Sequence, residues 1–384
     1  MELVVVVQIQ YKGTQNMDNH TLLSSFGKWV APINIEKLTE QITQTGQDRY
    51  TKKFTTYSYI KLLLLSHLEE VESLHAMSDT LFDDDVQQEL GLDSISVSQL
   101  SRKHRTVDPN LLASIFYQLV GQIRHSQPGR TVMPVKIIDS STMPLNLTNH
   151  PWATFRKTKG GVKLHLRLVF MENGSSYPEY ANITTANEHD RNQLEVLVDD
   201  KEATYVFDRG YIDYERFDRM TDDGYFFVSR LKKNSITRTI KAFEVEQGST
   251  IVTDQMVAVG GPTKRMDNLC RLIEVDDTKG NRLRLITNRF DLKASEISDM
   301  YRSRWTIELF FKWLKQHVKI KHFYGHSETA VINQIFLALI VYCLHVLIQL
   351  ETESRKTILQ ISRLLKAKLW KDCRHWLRRI SGIP

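Results

Sequence analysis

The chain has only three cysteines in 384 residues, Cys270, Cys343 and Cys373. They are odd in number, far apart and in no CxxC pair. This excludes a disulfide framework and a cysteine-built zinc site, and it fits a reducing cytoplasm. A secretory leader is also lacking: MELVVVVQIQYK has a short apolar run but no basic start and no small-residue cleavage site. No apolar stretch runs uninterrupted across a bilayer's thickness. The best candidate, Ala330 to Leu350, is broken by Asn333, Gln334, His345 and Gln349, so a buried core helix is expected there and no membrane. Internal repeats and low-complexity tracts are absent. What is present is an ordinary globular composition, 41% hydrophobic and 25% charged, long enough for two or three domains.

The net charge of +6 is unevenly placed. From Glu351 to Pro384 there are nine Lys/Arg against three Asp/Glu, together with Trp370 and Trp376. A basic helical tail over 351–384 suits a polyanion surface, and equally a solvated helical face. At the other end, Met17-Asp18-Asn19-His20 reads as a natural start, which makes residues 1–16 a candidate extension. Residues 17–130 have a helical pattern and form the expected DNA-binding domain. Tyr57 to His75 reads as one helix, and Asp83-Asp84-Asp85 as a loop or helix cap. A Ser-capped short helix ending in Arg102, Lys103 and Arg105 follows a turn at Gly91 and resembles a helix-turn-helix recognition unit. Helix ends carry basic residues for dipole reasons too, so this signal stands at even weight with its alternative.

The texture changes at Gln127-Pro128-Gly129-Arg130, the expected start of a second domain over 131–350. Val132 to Asp139 reads as a buried strand ending in an acid. Val162 to Phe170 alternates, with Lys163, His165 and Arg167 on one face, which predicts a half-exposed strand. Tyr177 to Thr184 is a third strand and Asp190 to Val198 a helix. Thr204 to Asp208 is a fourth strand, again ending in an acid; Ile212 to Thr221 is helical and Tyr225 to Ser229 a fifth strand. About 230–288 the chain is strand-rich with Gly and Asp turns, a β-rich insertion.

Met300 to Ser327 then reads as one helix, without Pro and without Gly before Gly325. At ~100° per residue, Tyr301, Arg304, Glu308, Lys312, Lys315 and Lys319 share an arc of about 80°. Trp305, Ile307, Leu309, Phe310, Phe311, Trp313 and Leu314 cover the rest, so a mostly buried helix carries one narrow polar stripe. Glu308 is the only carboxylate in this stretch. A lone acid among cations suits a site that holds a metal and grips phosphates; an amphipathic helix with a salt-bridged surface is the plainer alternative. Asp139 and Asp208 each close an apolar strand, where sites assemble in open sheets. Three carboxylates from two strand ends and a helix can hold two Mg²⁺, since hard oxygen ligands suit that cation.

Tyr301-x2-Arg304-x3-Glu308-x6-Lys315 resembles, at every spacing, the Y-R-E-K signature of cut-and-paste DDE transposases from bacterial insertion sequences. Ile137-Ile138-Asp139-Ser140 and Phe207-Asp208-Arg209-Gly210 look like that family's two Asp motifs, and the likeness spans Val132 to Leu350. The resemblance implies an α/β, RNase H-like catalytic core, a mixed sheet flanked by helices, with a β-rich insertion and a preceding all-α DNA-binding domain. It implies Asp139, Asp208 and Glu308 as catalytic ligands of two Mg²⁺ or Mn²⁺ ions. Tyr301, Arg304 and Lys315 would contact DNA phosphates, with Lys312 and Lys319 extending that grip and Arg230 and Lys232 flanking it. The implied activity is strand cleavage at element ends and 3′-OH transfer into target DNA. Its partners would be double-stranded terminal inverted repeats and target DNA, bound by a homodimer in the synaptic complex, in the bacterial cytoplasm at the nucleoid. One departure is the lack of any Trp between Trp152 and Trp305, where relatives hold a flipped base during hairpin chemistry. A nuclease without strand transfer and an inactive DNA-binding derivative remain open beside the leading reading.

Overall fold

The computed structural model describes residues 24–127, 133–171, 175–245, 248–277, 280–317 and 323–381. Residues 1–16 and Lys319 lie outside them. The N-terminal part is helical: α1 (Ser25–Val30), α2 (Ile35–Thr45), α3 (Thr56–Leu68), α4 (Leu74–Asp79), α5 (Asp84–Leu90), α6 (Val97–Thr106) and α7 (Pro109–His125). Each opens on a Ser, Thr, Asn or Asp whose side chain accepts a backbone N–H of the first turn. Asp83 is such a cap, so the acidic triplet begins α5. The helix expected to reach His75 stops at Leu68. Glu70 takes a left-handed φ of 59°, and α4 starts afresh after Ser73.

The second part is built on one sheet. Its strands are β1 (Val135–Leu145), β2 (Thr154–Arg156), β3 (Lys159–Phe170), β4 (Ser176–Thr185), β5 (Thr204–Phe207) and β6 (Phe226–Arg230). They are followed by β7 (Thr237–Ala242), β8 (Ile251–Gly261), β9 (Lys264–Arg265), β10 (Cys270–Asp276) and β11 (Arg282–Thr287). β4, β3 and β1 are antiparallel neighbours, and β1, β5 and β6 run parallel. This mixed five-strand order, with helices on both faces, is the RNase H-like core. β11 pairs with β6, and β10, β8 and β7 follow, so the strand-rich stretch continues the same sheet.

β5 is buried on both faces, as its unbroken apolar run requires. On one face Ile138, Tyr205 and Phe207 pack with Phe217 of α9 (Tyr214–Asp222), which follows the short α8 (Leu194–Leu197). Phe217 and Phe227 stack there at 4.5 Å. On the other face Ile137 and Val206 join α10 (Ala294–Ser303), α11 (Trp305–His317) and α12 (Glu328–Glu351).

Helix α12 is long and apolar enough to cross a membrane, but 89% of its most apolar window is buried inside the protein. The polar residues that interrupt it all have internal partners. Asn333 donates to the Val107 carbonyl, Gln334 accepts from Tyr324 N–H, and Gln349 donates to the Lys356 carbonyl. His345 Nδ1 lies 2.6 Å from the Val341 carbonyl. The expected basic tail folds back as α13 (Ile358–Lys366) and α14 (Cys373–Ser381). Its tryptophans are core: Trp376 is fully buried, and Trp370 packs on Phe26 of α1. Trp370 and Trp376 therefore do not serve as a polyanion surface.

Two strand readings need correction. β1 does not end at Asp139. It runs six residues further because β3 keeps pairing with it to Leu145; only its parallel pairing with β5 stops there, at Ile138 opposite Phe207. The polar face of β3 is also not exposed. His165 is 0% and Arg167 4% accessible; Arg167 pairs with the buried Glu179 and with the exposed Asp199, and His165 lies beside Asp190.

Candidate active site

The two aspartates meet through strand register. Ile138 and Phe207 are the last parallel partners of β1 and β5, and both face the α9 side. The next residue on each chain is an aspartate. By alternation the Asp139 carboxylate points to the opposite side, toward α11, and Asp208, just past the end of β5, lies near enough for its charge to act on Asp139. The Ser140 N–H donates to Asp139 Oδ1 at 2.8 Å.

The helix bearing Glu308 is not continuous. α10 ends at Ser303 and α11 begins at Trp305. At the junction Arg304 N–H reaches the Tyr301 carbonyl and Ile307 N–H reaches the Arg304 carbonyl, both three-residue steps that tighten the turn. Trp305 and Leu309, which flank the polar stripe on α11, are exposed, at 58% and 52% accessible, and so are not part of the expected apolar surface. Arg304, at the break, faces the acids. Its guanidinium donates to Glu308 Oε1 at 2.6 Å and stands 3.9 Å from Asp139 Oδ2. One cation thus spans the strand acid and the helix acid.

Asp139, Ser140, Ser141, Glu308, Phe311, Lys312, Lys315 and Gln316 line one open cleft of about 450 Å³. Burial pushes the Asp139 carboxyl up to about 6. The neighbouring Asp208 and Asp190 add to the rise, and the Ser140 N–H and Arg304 oppose it. Tyr301, nearly buried, lies under Arg304 and feels both Asp208 and Arg230; its hydroxyl is pushed up to about 12, chiefly by burial. Negative charge at Asp139 is thus incompletely compensated, and all the donors are hard carboxylate oxygens. That set fits a divalent cation of the Mg²⁺ type. Among the described residues no three His, Cys, Asp or Glu side chains are already gathered as a metal-holding group, and Arg304 bridges two of the acids instead.

Of the remaining expected residues, Arg230 is near Tyr301, whereas Lys232 is exposed on the loop after β6. On α6, Arg102 and Arg105 are exposed, but Lys103 turns inward to a 2.5 Å ion pair with Asp48. The capping box of Ser96 and Gln99 fixes the start of that helix. The sequence reading missed Asp190, whose Oδ1 accepts from Ser140 Oγ at 2.6 Å. The clue was available: Lys163 and His165 alternate on an otherwise apolar strand and need an acid if that face is covered.

The sheet order and the strand-end acids define a nucleic-acid-modifying enzyme of the RNase H-like fold. The sequence profile described as the Transposase DDE domain matches residues 130–344, and the chain belongs to that DDE transposase family. A second profile, a domain of unknown function (DUF4372), matches residues 21–93. A Geobacillus stearothermophilus protein named "Probable transposase for insertion sequence element IS5377" is 30% identical over 335 residues, 85% of each chain. The y4zB protein of Sinorhizobium fredii, also named for a transposase, is 32% identical over 242 residues, 61% of this chain and 66% of that one. The piggyBac transposase synaptic complex with hairpin DNA aligns at a TM-score of 0.45 and 11% identity, over 95% of this chain and 83% of that one. The protein is an insertion-sequence transposase that acts on DNA, in a family that characteristically uses divalent metals.

Proposed function

We propose that this transposase cuts DNA at the ends of its element and joins the freed 3′-OH to target DNA, with Asp139, Asp208 and Glu308 as the catalytic carboxylates. The reading rests on one observation above all: Asp139 and Glu308 share an open cleft with Lys312 and Lys315. The carboxylates hold divalent cations, and Arg304 gives up part of its ion pairing to meet a phosphate. Lys312 and Lys315 neutralise the DNA backbone at the cleft mouth. Divalent cations held by these carboxylates would supply the Lewis acidity that phosphoryl transfer needs at the attacking and leaving oxygens. In the first step water adds to a phosphodiester and the 3′-oxygen leaves as a hydroxyl. In the second, that hydroxyl attacks a target phosphodiester and displaces its 3′-oxygen.

Recognition of the element's ends falls to the helical unit, through the exposed face of α6 with Ser98, Gln99, Arg102 and Arg105. Synapsis of two ends calls for two copies of the chain on DNA. The test incubates the protein with Mg²⁺, DNA carrying the element's terminal inverted repeats, and a target plasmid. Joined products that vanish with Glu308→Ala are expected. Nicks without joining would favour a nuclease, and an unimpaired Glu308→Ala protein would overturn the assigned site.

A further inference from the structure

The polar stripe of β3 is mostly accounted for by internal ion pairs. Arg167 pairs with Glu179 and Asp199. Lys163 and His165 do something different: Lys163 forms an ion pair with Asp190 at 3.2 Å, and His165, kept neutral by burial, packs against the same carboxylate with Nδ1 3.7 Å from Oδ1. His165 is fully buried, and its Nε2 lies 3.0 Å from Thr184 Oγ1. Lys163 also donates to the Glu188 carbonyl at 2.8 Å. The aspartate so held accepts from Ser140 Oγ, and Ser140 is the residue whose N–H fixes Asp139 Oδ1. Ser140 and His165 are direct cross-strand partners.

This chain of contacts lies where β1 loses its neighbour. Up to Ile138 the strand is held on both edges, by β3 and β5; from Asp139 onward only β3 holds it. Without a second tie, the strand would carry its carboxylate on a free edge. Asp190 sits on the face opposite Glu308 and supplies that tie through the Ser140 hydroxyl.

We propose that Asp190, braced by Lys163 and His165, is a positioning residue that acts through Ser140 to hold the Asp139 carboxylate in place for cation binding. The role rests on the reading of Asp139 as a ligand. Hydrogen-bond partners behind a metal ligand characteristically affect metal affinity by about 10-fold or more when removed. A purely structural bond would lower thermal stability and leave cation affinity alone.

The experiment measures Mn²⁺ binding to the full-length protein on end DNA by electron paramagnetic resonance, alongside the Mg²⁺ dependence of cleavage. Asp190→Asn and Ser140→Ala should each raise the half-saturating cation concentration by about 10-fold. DNA affinity should be unchanged, and the cleavage rate should recover at high Mg²⁺. The double variant should be no weaker than either single one, because both act on one path. Unchanged Mn²⁺ affinity in both variants, strictly additive losses, or a rate loss that no cation concentration repairs would each overturn the proposal. If Asp139→Asn abolishes cation binding while Asp190→Asn behaves as the parent, only this inference fails. If Asp139→Asn itself binds and cuts normally, the site assignment fails with it.

Discussion

Two polar stripes in this protein look alike in sequence and end up with opposite uses. Lys163, His165 and Arg167 alternate on β3, and Arg304, Glu308, Lys312 and Lys315 recur along α10 and α11. Each lies on an otherwise apolar element. On β3 the two cations, half-buried Lys163 and buried Arg167, are answered by Asp190, Glu179 and Asp199, with neutral His165 buried between them. On α11 the acid is answered by Arg304, whereas Lys312 is exposed, makes no ion pair among the described residues, and faces an open cleft with Lys315. A stripe whose cations are paired inside the protein holds a fold together. A stripe with an exposed cation beside a partly compensated carboxylate suits the proposed grip on a DNA phosphate.

The sharpest way to break this contrast is stability. Arg167→Ala removes one of three cations from the buried Glu179, which keeps Arg124 and Lys136, and should cost about 1–3 kcal/mol, read by urea denaturation. Lys312→Ala should stay within about 0.5 kcal/mol in the same assay. Equal effects would erase the distinction. The converse holds for DNA. Lys312→Ala and Lys315→Ala should each weaken binding to any DNA sequence and reduce the slope of log affinity against log salt by about one. An unchanged salt slope would remove the α11 stripe from the DNA surface.

The pH response sharpens the account further. The Asp139 carboxyl sits at about 6 in the folded chain, above the ordinary value of about 3.9. Between those values the folded chain keeps a proton that the unfolded chain has released. The associated stability is present at low pH and is lost as pH rises through about 6. Asp139→Asn should therefore flatten the stability slope in that window in metal-free protein. Cleavage should run the other way and decline as pH falls below about 6, because the carboxylate form binds cations. The smallest expected effect concerns the helix break: Trp305→Ala should leave stability within about 0.5 kcal/mol, against roughly 2–5 kcal/mol for the buried Ile307→Ala.

Much of this was legible before any coordinates. The apolar runs ahead of Asp139 and Asp208 mark two strands whose parallel pairing stops just before those acids. The spacing of Glu308, Lys312 and Lys315 marks one side of α11, and all three line the cleft. The polar interruptions of α12 mark an internal helix, since each such group needs a partner. What the chain concealed were effects of tertiary contact. The break at Arg304 follows no Pro or Gly; it accompanies the ion pairs of that side chain with Glu308 and Asp139. β1 extends beyond Asp139 because β3, with partners 15 to 25 residues further along the chain, keeps pairing with it. The half-exposed look of β3 dissolves because its acids arrive from residues 179 to 199, beyond the reach of any periodicity argument. Likewise, α13 and α14 carry a tail's composition, yet Trp376 and Trp370 bury against the first helices.

The most direct test of the central claim compares the parent protein with Asp139→Asn, Asp208→Asn and Glu308→Gln on end DNA, scoring cleavage as Mg²⁺ or Mn²⁺ is added. All three substitutions should reduce cleavage by about 10²–10³-fold or more while DNA binding persists. A variant that cuts at the parent rate would contradict the convergence of these three acids on one catalytic centre.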